Sequence, residues 1–314
     1  LDGYRTRFVP ARKTTAVILM KDTVDMERLG NSKIWSFLDG SAGIEAVSNS
    51  AIRQGNGRYV VNYLELAAKI AELQFRNPSH VLFFRGQSAD HKSVKGYSSL
   101  KSSIFRPPMG NTTITRKLIA HRYECLAIAE KMLAARFKAL KRLGTMRVQR
   151  QRLLRWSILQ HYEVCDTPLL DVSQSLRIGA SFASLNDTDE AFLYALAVPN
   201  ISGTITASVE AGIQVVRLAG ACPPAALRPH VQEGFLLGEY PDVASADQIA
   251  NYKPFQFDFG LRIIGKFRFS PKRFWRDDNF PKITPAALYP QSKDWLENTT
   301  AEIHQHLKGI KAPP

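Results

Sequence analysis

Three stretches of the chain set polar side chains directly against strongly apolar sequence, where burying an unpaired polar group is costly. The first is Phe84-Arg85-Gly86-Gln87, followed by Tyr97, Leu100 and Ile104-Phe105-Arg106. An arginine at the exit of a buried strand, beside a glycine that lets a ligand reach the backbone, suits a bidentate grip on a diphosphate. A structural ion pair with a buried acid is the competing reading. The second stretch is Leu159-Gln160-His161-Tyr162, then Thr167-Pro168-Leu169-Leu170-Asp171-Val172-Ser173, Ser175 and Ser181-Phe182-Ala183. In an extended segment Asp171 and Ser173 share one face, and Ser173 is placed to cap a helix start that attracts anions. Simple capping with a structural aspartate is the alternative, and His161 taken alone reads as a packing histidine. The third stretch is Arg228-Pro229-His230-Val231-Gln232-Glu233-Gly234-Phe235. Extended backbone there puts Gln232 and Gly234 on one side and Glu233 on the other; a polar turn entering a strand accounts for it equally.

In order and spacing these pieces resemble the FRG-domain family, named for its Phe/Tyr-Arg-Gly motif. The resemblance runs from about Leu82 to Leu237. It is carried by Phe84 to Gln87, Leu100 to Arg106, Glu124, Gln160-His161-Tyr162, Thr167 to Asp171 with Ser173 and Ala180 to Ala183, and Arg228 with Gln232, Gly234 and Phe235. It implies an α+β fold similar to ADP-ribosyltransferases, with a split β-sheet core and a helical amino-terminal half. It also implies a transferase of the glycosyltransferase class with NAD as co-substrate. On that mapping Arg85, Asp171 and Gln232 are the catalytic residues. Arg85, Gly86 and Gln87 meet the diphosphate or ribose, Asp171 and Ser173 brace the nicotinamide-ribose pocket, and His161 and Tyr162 line its wall. Two positions depart from the family: Pro168 stands where its Thr-Arg-Leu-Leu-Asp has arginine, and Gln232 stands where many transferases place a catalytic Glu.

Breaking a nicotinamide–ribose bond develops positive charge on the ribose, which a nearby carboxylate or hydrogen-bond acceptor stabilises. Gln232 can orient a hydroxyl but carries no charge. Asp171 is therefore the favoured carboxylate, with Glu233 available if its segment is bulged. This chemistry needs no metal, and the sequence has no HExxH, CxxC pair or Walker-type loop.

The balance of 42 Lys+Arg against 28 Asp+Glu gives a formal charge of +14, which suits a polyanionic partner through counterion release. From Arg116 to Arg155 there are twelve Lys/Arg against Glu124 and Glu130. Arg147, Arg150, Arg152 and Arg155 are the densest run and read as a track for a phosphate backbone. A second basic stretch, Lys266 to Arg276, interleaves Lys272, Arg273 and Arg276 with Phe267, Phe269, Phe274 and Trp275. Its rings either stack unpaired bases or belong to the core. The expected acceptor is RNA, messenger RNA included, or single-stranded DNA, since a base must leave its stack to be modified. By analogy with the family, such an enzyme acts as a toxin in phage defence, restrained by an antitoxin protein. A protein acceptor or plain NAD hydrolysis is the second reading, and a non-catalytic nucleic-acid-binding module the third.

The elements that must position these groups follow from hydrophobic periodicity. The pattern predicts a strand at 15–21 and helices at 61–76, 115–143 and 145–162, with a further helix at 176–183 capped by Ser173. Strands are predicted at 80–84, 191–198, 213–218, 234–237 and 255–269. Helices dominate the first half and strands the second, the pattern of an α+β protein. Residues 1–79 read as an α/β extension, 80–290 as the catalytic domain with basic helices at 115–162, and 291–314 as a helix and tail. Three widely spaced cysteines, Cys125, Cys165 and Cys222, fit a reducing compartment. No apolar run approaches the roughly 20 residues of a membrane span, so a cytoplasmic protein without membrane partners is expected.

Overall fold

The computed structural model describes residues 34–111, 113–186, 188–200, 202–223, 226–249, 258–277, 279–290 and 295–310; the strand expected at 15–21 lies outside them. The described strands are β1 (Ile34–Ser36), β2 (Glu45–Val47), β3 (Arg58–Tyr59), β4 (His80–Gln87), β5 (Leu170–Ser173), β6 (Ala191–Pro199), β7 (Ile205–Ser208), β8 (Ile213–Arg217), β9 (Gly234–Glu239) and β10 (Ile263–Phe269). The helices are α1 (Asn49–Gln54), α2 (Tyr63–Arg76), α3 (Arg116–Ala139), α4 (Thr145–Arg150), α5 (Arg152–His161), α6 (Leu176–Ala183), α7 (Leu218–Ala221), α8 (Leu227–Val231), α9 (Pro271–Phe274), α10 (Pro285–Leu288) and α11 (Trp295–Lys308).

Eight strands form one mixed sheet in the order β3-β10-β6-β4-β5-β9-β8-β7, with β1 and β2 paired apart from it. Within the sheet only β3 and β10 run parallel. The chain is therefore α+β. The sheet is weakest at its centre: β4 and β6 pair over eight residues, from His80↔Pro199 to Gln87↔Phe192, whereas β4 and β5 meet at the single pair Phe84↔Ser173. Past that pair the two strands part, and the site lies at the parting.

Alternation of side chains sorts the core. Phe83, Tyr194, Leu196, Val172 and Ile263 pack on one face of the sheet, and Phe84, Ala195, Phe267 and Phe269 pack on the other with Leu66 and Leu73 of α2 and Ala180 and Ala183 of α6. A third apolar cluster joins α3, α5 and α11 through Leu126, Leu133, Phe137, Trp156, Leu159 and Ile303 and reaches the sheet at Val216 and Leu236.

Local chemistry explains where elements start and stop. Asn62 accepts from Glu65 N at 2.9 Å while Glu65 accepts from Val61 N at 2.8 Å, a reciprocal cap that starts α2 two residues later than periodicity alone suggests. α3 ends at Ala139 rather than 143, and Lys141 adopts φ 47° just beyond. The helix expected at 145–162 is two, because Gln151 is extended (φ −105°, ψ 105°). β4 continues through Gln87, so Arg85-Gly86 lies inside the strand and not at its exit. Ser173 closes β5, and the residue that caps α6 is Ser175, accepting from Ile178 N. The segment expected to extend through Gln232 is instead α8 followed by a tight turn, with Gln232 in the right-handed helical region and Glu233 at φ 43°. Of the strand expected at 255–269, residues 263–269 are observed, preceded by a 3-10 turn at Phe259–Arg262 that Asp258 caps; Phe255 and Phe257 lie outside the described residues. The short strand β7 carries too little apolar pattern to be read from sequence.

Candidate active site

Arg85 leaves β4 where β5 parts from it. Its Nη1 donates to the backbone oxygen of Asp171 at 2.5 Å, so a guanidinium takes the place of strand pairing at the seam. Its Nε is buried without a hydrogen-bond partner. Burial, with the like charge of Arg106 adding to it, lowers the Arg85 pKa to about 10, still far above neutrality.

A cavity of about 560 Å³ opens at this seam, lined by Arg85, Gly86, His161, Asp171, Ser173 and Gln232 together. These residues are far apart in sequence, and four elements or their ends, β4, α5, β5 and α8, bring them together. The cavity falls in the range of small-molecule and cofactor pockets. Gln87 and Tyr162 are not among its lining residues. The Oε1 of Gln87 is buried without a partner, and Tyr162 packs against the helical core, its ring edge-on to His161 at 5.7 Å.

The Gln160-His161-Tyr162 and Thr167-to-Asp171 stretches meet as a network. The Thr167 hydroxyl donates to Gln160 Oε1, Gln160 Nε2 donates to Asp171 Oδ2 at 2.7 Å, and Leu169 N donates to Thr167 Oγ1 at 3.2 Å. Burial raises the Asp171 pKa, opposed chiefly by the Arg85 charge and the Gln160 hydrogen bond. The Gln160 hydrogen bond fixes the orientation of the Asp171 carboxyl group, which lines the cavity. Glu233, the other candidate, is exposed on its positive-φ turn and does not line the cavity.

Ser173 and Gln232 do structural work as well. Ser173 Oγ donates to the backbone oxygens of Gln232 (3.2 Å) and Glu233 (3.3 Å) and accepts from Ser175 N (3.1 Å), fastening the turn before β9 to the end of β5. Gln232 Nε2 donates to Leu288 O at 2.8 Å, which brings the α10 segment and Tyr289 to the cavity. His161 is buried; desolvation, with the Arg228 charge second, drives its pKa down to about 3, and its Nε2 is without a partner. It is a neutral imidazole at pH 7.

Gly86 lines the cavity and has a packing role besides. A Cβ there would lie 2.0 Å from Gly179 O and 2.5 Å from Ala183 N, so the glycine exists to let α6 lie directly on β4. Gly179 is its counterpart, with a Cβ 2.9 Å from that of Phe84. The motif therefore divides its work: Phe84 fills the core, Arg85 holds the seam, and Gly86 admits the helix.

Glu163, Asp166, Tyr289 and His304 also line the cavity and are not among the residues that the sequence singles out; Arg106, Phe182 and Arg228 lie within its three stretches but have no site role assigned there. Glu163 pairs with Arg228 at 2.7 Å and Asp166 with Arg122 at 2.9 Å. Tyr289 stacks on Arg228 (4.7 Å) and meets Phe182 edge-on (6.0 Å).

The basic residues separate into two kinds. Arg147, Arg150 and Arg152 are exposed on α4 and the start of α5, Arg152 lying 4.0 Å from Glu130. Arg155 is committed to the fold: it bonds Glu130 at 3.0 Å and the backbone oxygens of Val148 and Gln149. Lys272, Arg273 and Arg276 are exposed, but Phe267, Phe269 and Phe274 among them are fully buried. Trp275 stacks on Tyr63 at 5.9 Å and donates to Ser184. The rings of this stretch are core and offer no stacking platform. Among the described residues no group of His, Cys, Asp and Glu could hold a metal ion, and no helix is long and apolar enough to cross a membrane.

No family model matches the chain, and neither a curated protein nor a solved structure matches it.

Proposed function

We propose that the chain is an ADP-ribosyltransferase of the FRG-domain type that takes NAD as donor and nucleic acid, RNA above all, as acceptor. The observation that carries this reading is the meeting of Arg85 and Asp171 in one cavity at the seam of the central sheet. Three features fit a dinucleotide: the cavity volume of about 560 Å³, the buried Nε atoms of Arg85 and Arg228 that lack partners, and the aromatic wall of Phe182 and Tyr289. When bound, NAD supplies a glycosidic bond whose cleavage leaves positive charge on the ribose.

The chain's own groups match the two ends of that demand. Arg85 holds the diphosphate charge, and its pKa of about 10 keeps it cationic in solution near neutrality. Asp171, pinned by Gln160, presents the carboxylate that faces developing positive charge, and neutral His161 adds no opposing charge. Because Arg85 is held on the Asp171 backbone oxygen and the Asp171 carboxyl group on Gln160, donor grip and charge stabilisation are set before binding. Gln232 anchors the α10 segment and gives the cavity its far wall.

A nucleic-acid acceptor is supported by the exposed Arg147, Arg150 and Arg152, with Lys272, Arg273 and Arg276 as a second basic surface. A role as a toxin in phage defence, restrained by an antitoxin protein, belongs to the same reading through the family resemblance. The test is incubation with labelled NAD and total RNA, DNA or protein. Label in the RNA or DNA fraction supports the proposal, label in protein or free ADP-ribose redirects it to the second acceptor class, and absence of NAD turnover refutes it.

A further inference from the structure

Three arginines, Arg85, Arg106 and Arg228, line the cavity, and all three act on Asp171 through space. Yet among the described residues no ion pair joins any of them to its carboxyl group, which accepts from Gln160 Nε2 instead. Three acids, Glu163, Asp166 and Asp171, share the lining with these arginines. Arg228 is the one of the three held by an acid: its Nη2 donates to Glu163 Oε1 at 2.7 Å. Its Nε is buried without a partner, and the Tyr289 ring backs its guanidinium at 4.7 Å. The two partners differ in environment, since the Arg228 side chain is 18% exposed and that of Glu163 67%. Glu163 rests on a turn with φ 55° directly after α5.

An anion on a half-satisfied, ring-backed guanidinium, supplied by a largely hydrated side chain, is easily exchanged for a stronger one. We infer that Glu163 is a placeholder for a ligand phosphate. Its carboxylate occupies the Arg228 fork in the free protein, and a diphosphate-bearing nucleotide displaces it, so that Arg228 and Arg85 grip the diphosphate from two different elements. The exchange makes the Glu163–Arg228 contact a competitor of binding. It also explains why the buried Nε of Arg228 is left unfilled. The inference rests on the dinucleotide reading of the cavity and adds to it a second arginine and a built-in rival anion.

The test is calorimetric titration of the full chain with ADP-ribose and, separately, with inorganic pyrophosphate. Arg228→Gln is expected to weaken both by about tenfold or more, the loss of a charge-assisted hydrogen bond. Glu163→Gln is expected to tighten both by roughly twofold to fivefold, the release of one exposed ion pair. Thermal unfolding of each variant checks the fold, and Arg228→Lys, which keeps the charge without the fork, is expected to fall between wild type and Arg228→Gln. Equal or weaker binding by Glu163→Gln overturns the placeholder, as does unchanged binding by folded Arg228→Gln, and failure of the wild-type chain to bind either probe overturns the whole inference. NAD turnover is read independently: binding with these shifts but without turnover leaves the seat standing and removes the transferase.

Discussion

Gln160 Nε2 lies 2.7 Å from Asp171 Oδ2, and the Oε1 of the same amide accepts from the Thr167 hydroxyl. One side chain in the last turn of α5 thereby orients a carboxylate on β5. Since this bond opposes the upward shift that burial imposes on Asp171, Gln160→Leu is expected to raise the Asp171 pKa further. The acidic limb of the pH–rate profile for NAD turnover should then move to higher pH, with a lower plateau. An unmoved limb would separate the titrating group from Asp171.

Asp171 also bears on stability. Its folded pKa is raised above the unfolded value of about 3.9, so the folded state holds this proton more tightly. The contribution is most favourable below the unfolded pKa and is lost as pH rises through the folded pKa. Asp171→Asn, which keeps an acceptor for Gln160, is expected to be inactive yet to melt higher than wild type, with the difference growing as pH rises from about 4 through the raised folded pKa. Thermal melts across that interval check it, and a variant that melts lower at pH 8 would contradict it.

Gly86→Ala is expected to cost stability before it affects binding. The added methyl would meet the backbone of α6 at 2.0 Å and 2.5 Å, which no side-chain rotation relieves, so a loss on the order of 1–3 kcal/mol or more follows. Gly234→Ala would meet chiefly the flexible end of Leu218, at 2.8 Å, and is expected to cost less. Chemical denaturation of the pair ranks them.

How much of this was legible in the sequence depends on how local the signal was. Helices α2 and α6 and strands β4, β6, β8 and β9 follow from apolar spacing over a few residues, and Asn77-Pro78 ends α2 where the chain's own sterics require it. Arg85, Asp171, Ser173 and Gln232 were found because each interrupts apolar sequence. Gln232 is not extended because Pro229, tolerated in the first turn of a helix, lies within α8, and Gln232 caps that helix. Ser173 and Ser175 are equivalent as caps until the strand register places the first in β5. Glu163 and Asp166 carry no apolar signal and lie in the link between α5 and β5, while Tyr289 and His304 reach the cavity through the packing of α10 and α11, which no spacing encodes.

The two kinds of basic residue give separate outcomes. Replacing Arg147 and Arg150 together by Ala is expected to leave the fold intact and to reduce the slope of log K against log salt for single-stranded RNA by about 1.4, at roughly 0.7 per phosphate contact. Arg155→Ala, which strips Glu130 and two backbone oxygens of their donor, is expected to lower the melting temperature instead. Filter binding at several salt concentrations, with melts alongside, distinguishes them.

The proposed grip of the seam arginine on the donor is tested most directly by removing its side chain. Arg85→Ala should be assayed with labelled NAD beside wild type, with circular dichroism on both. Loss of labelling from a chain that retains its spectrum is the expected result; a folded Arg85→Ala that labels at the wild-type rate would contradict it.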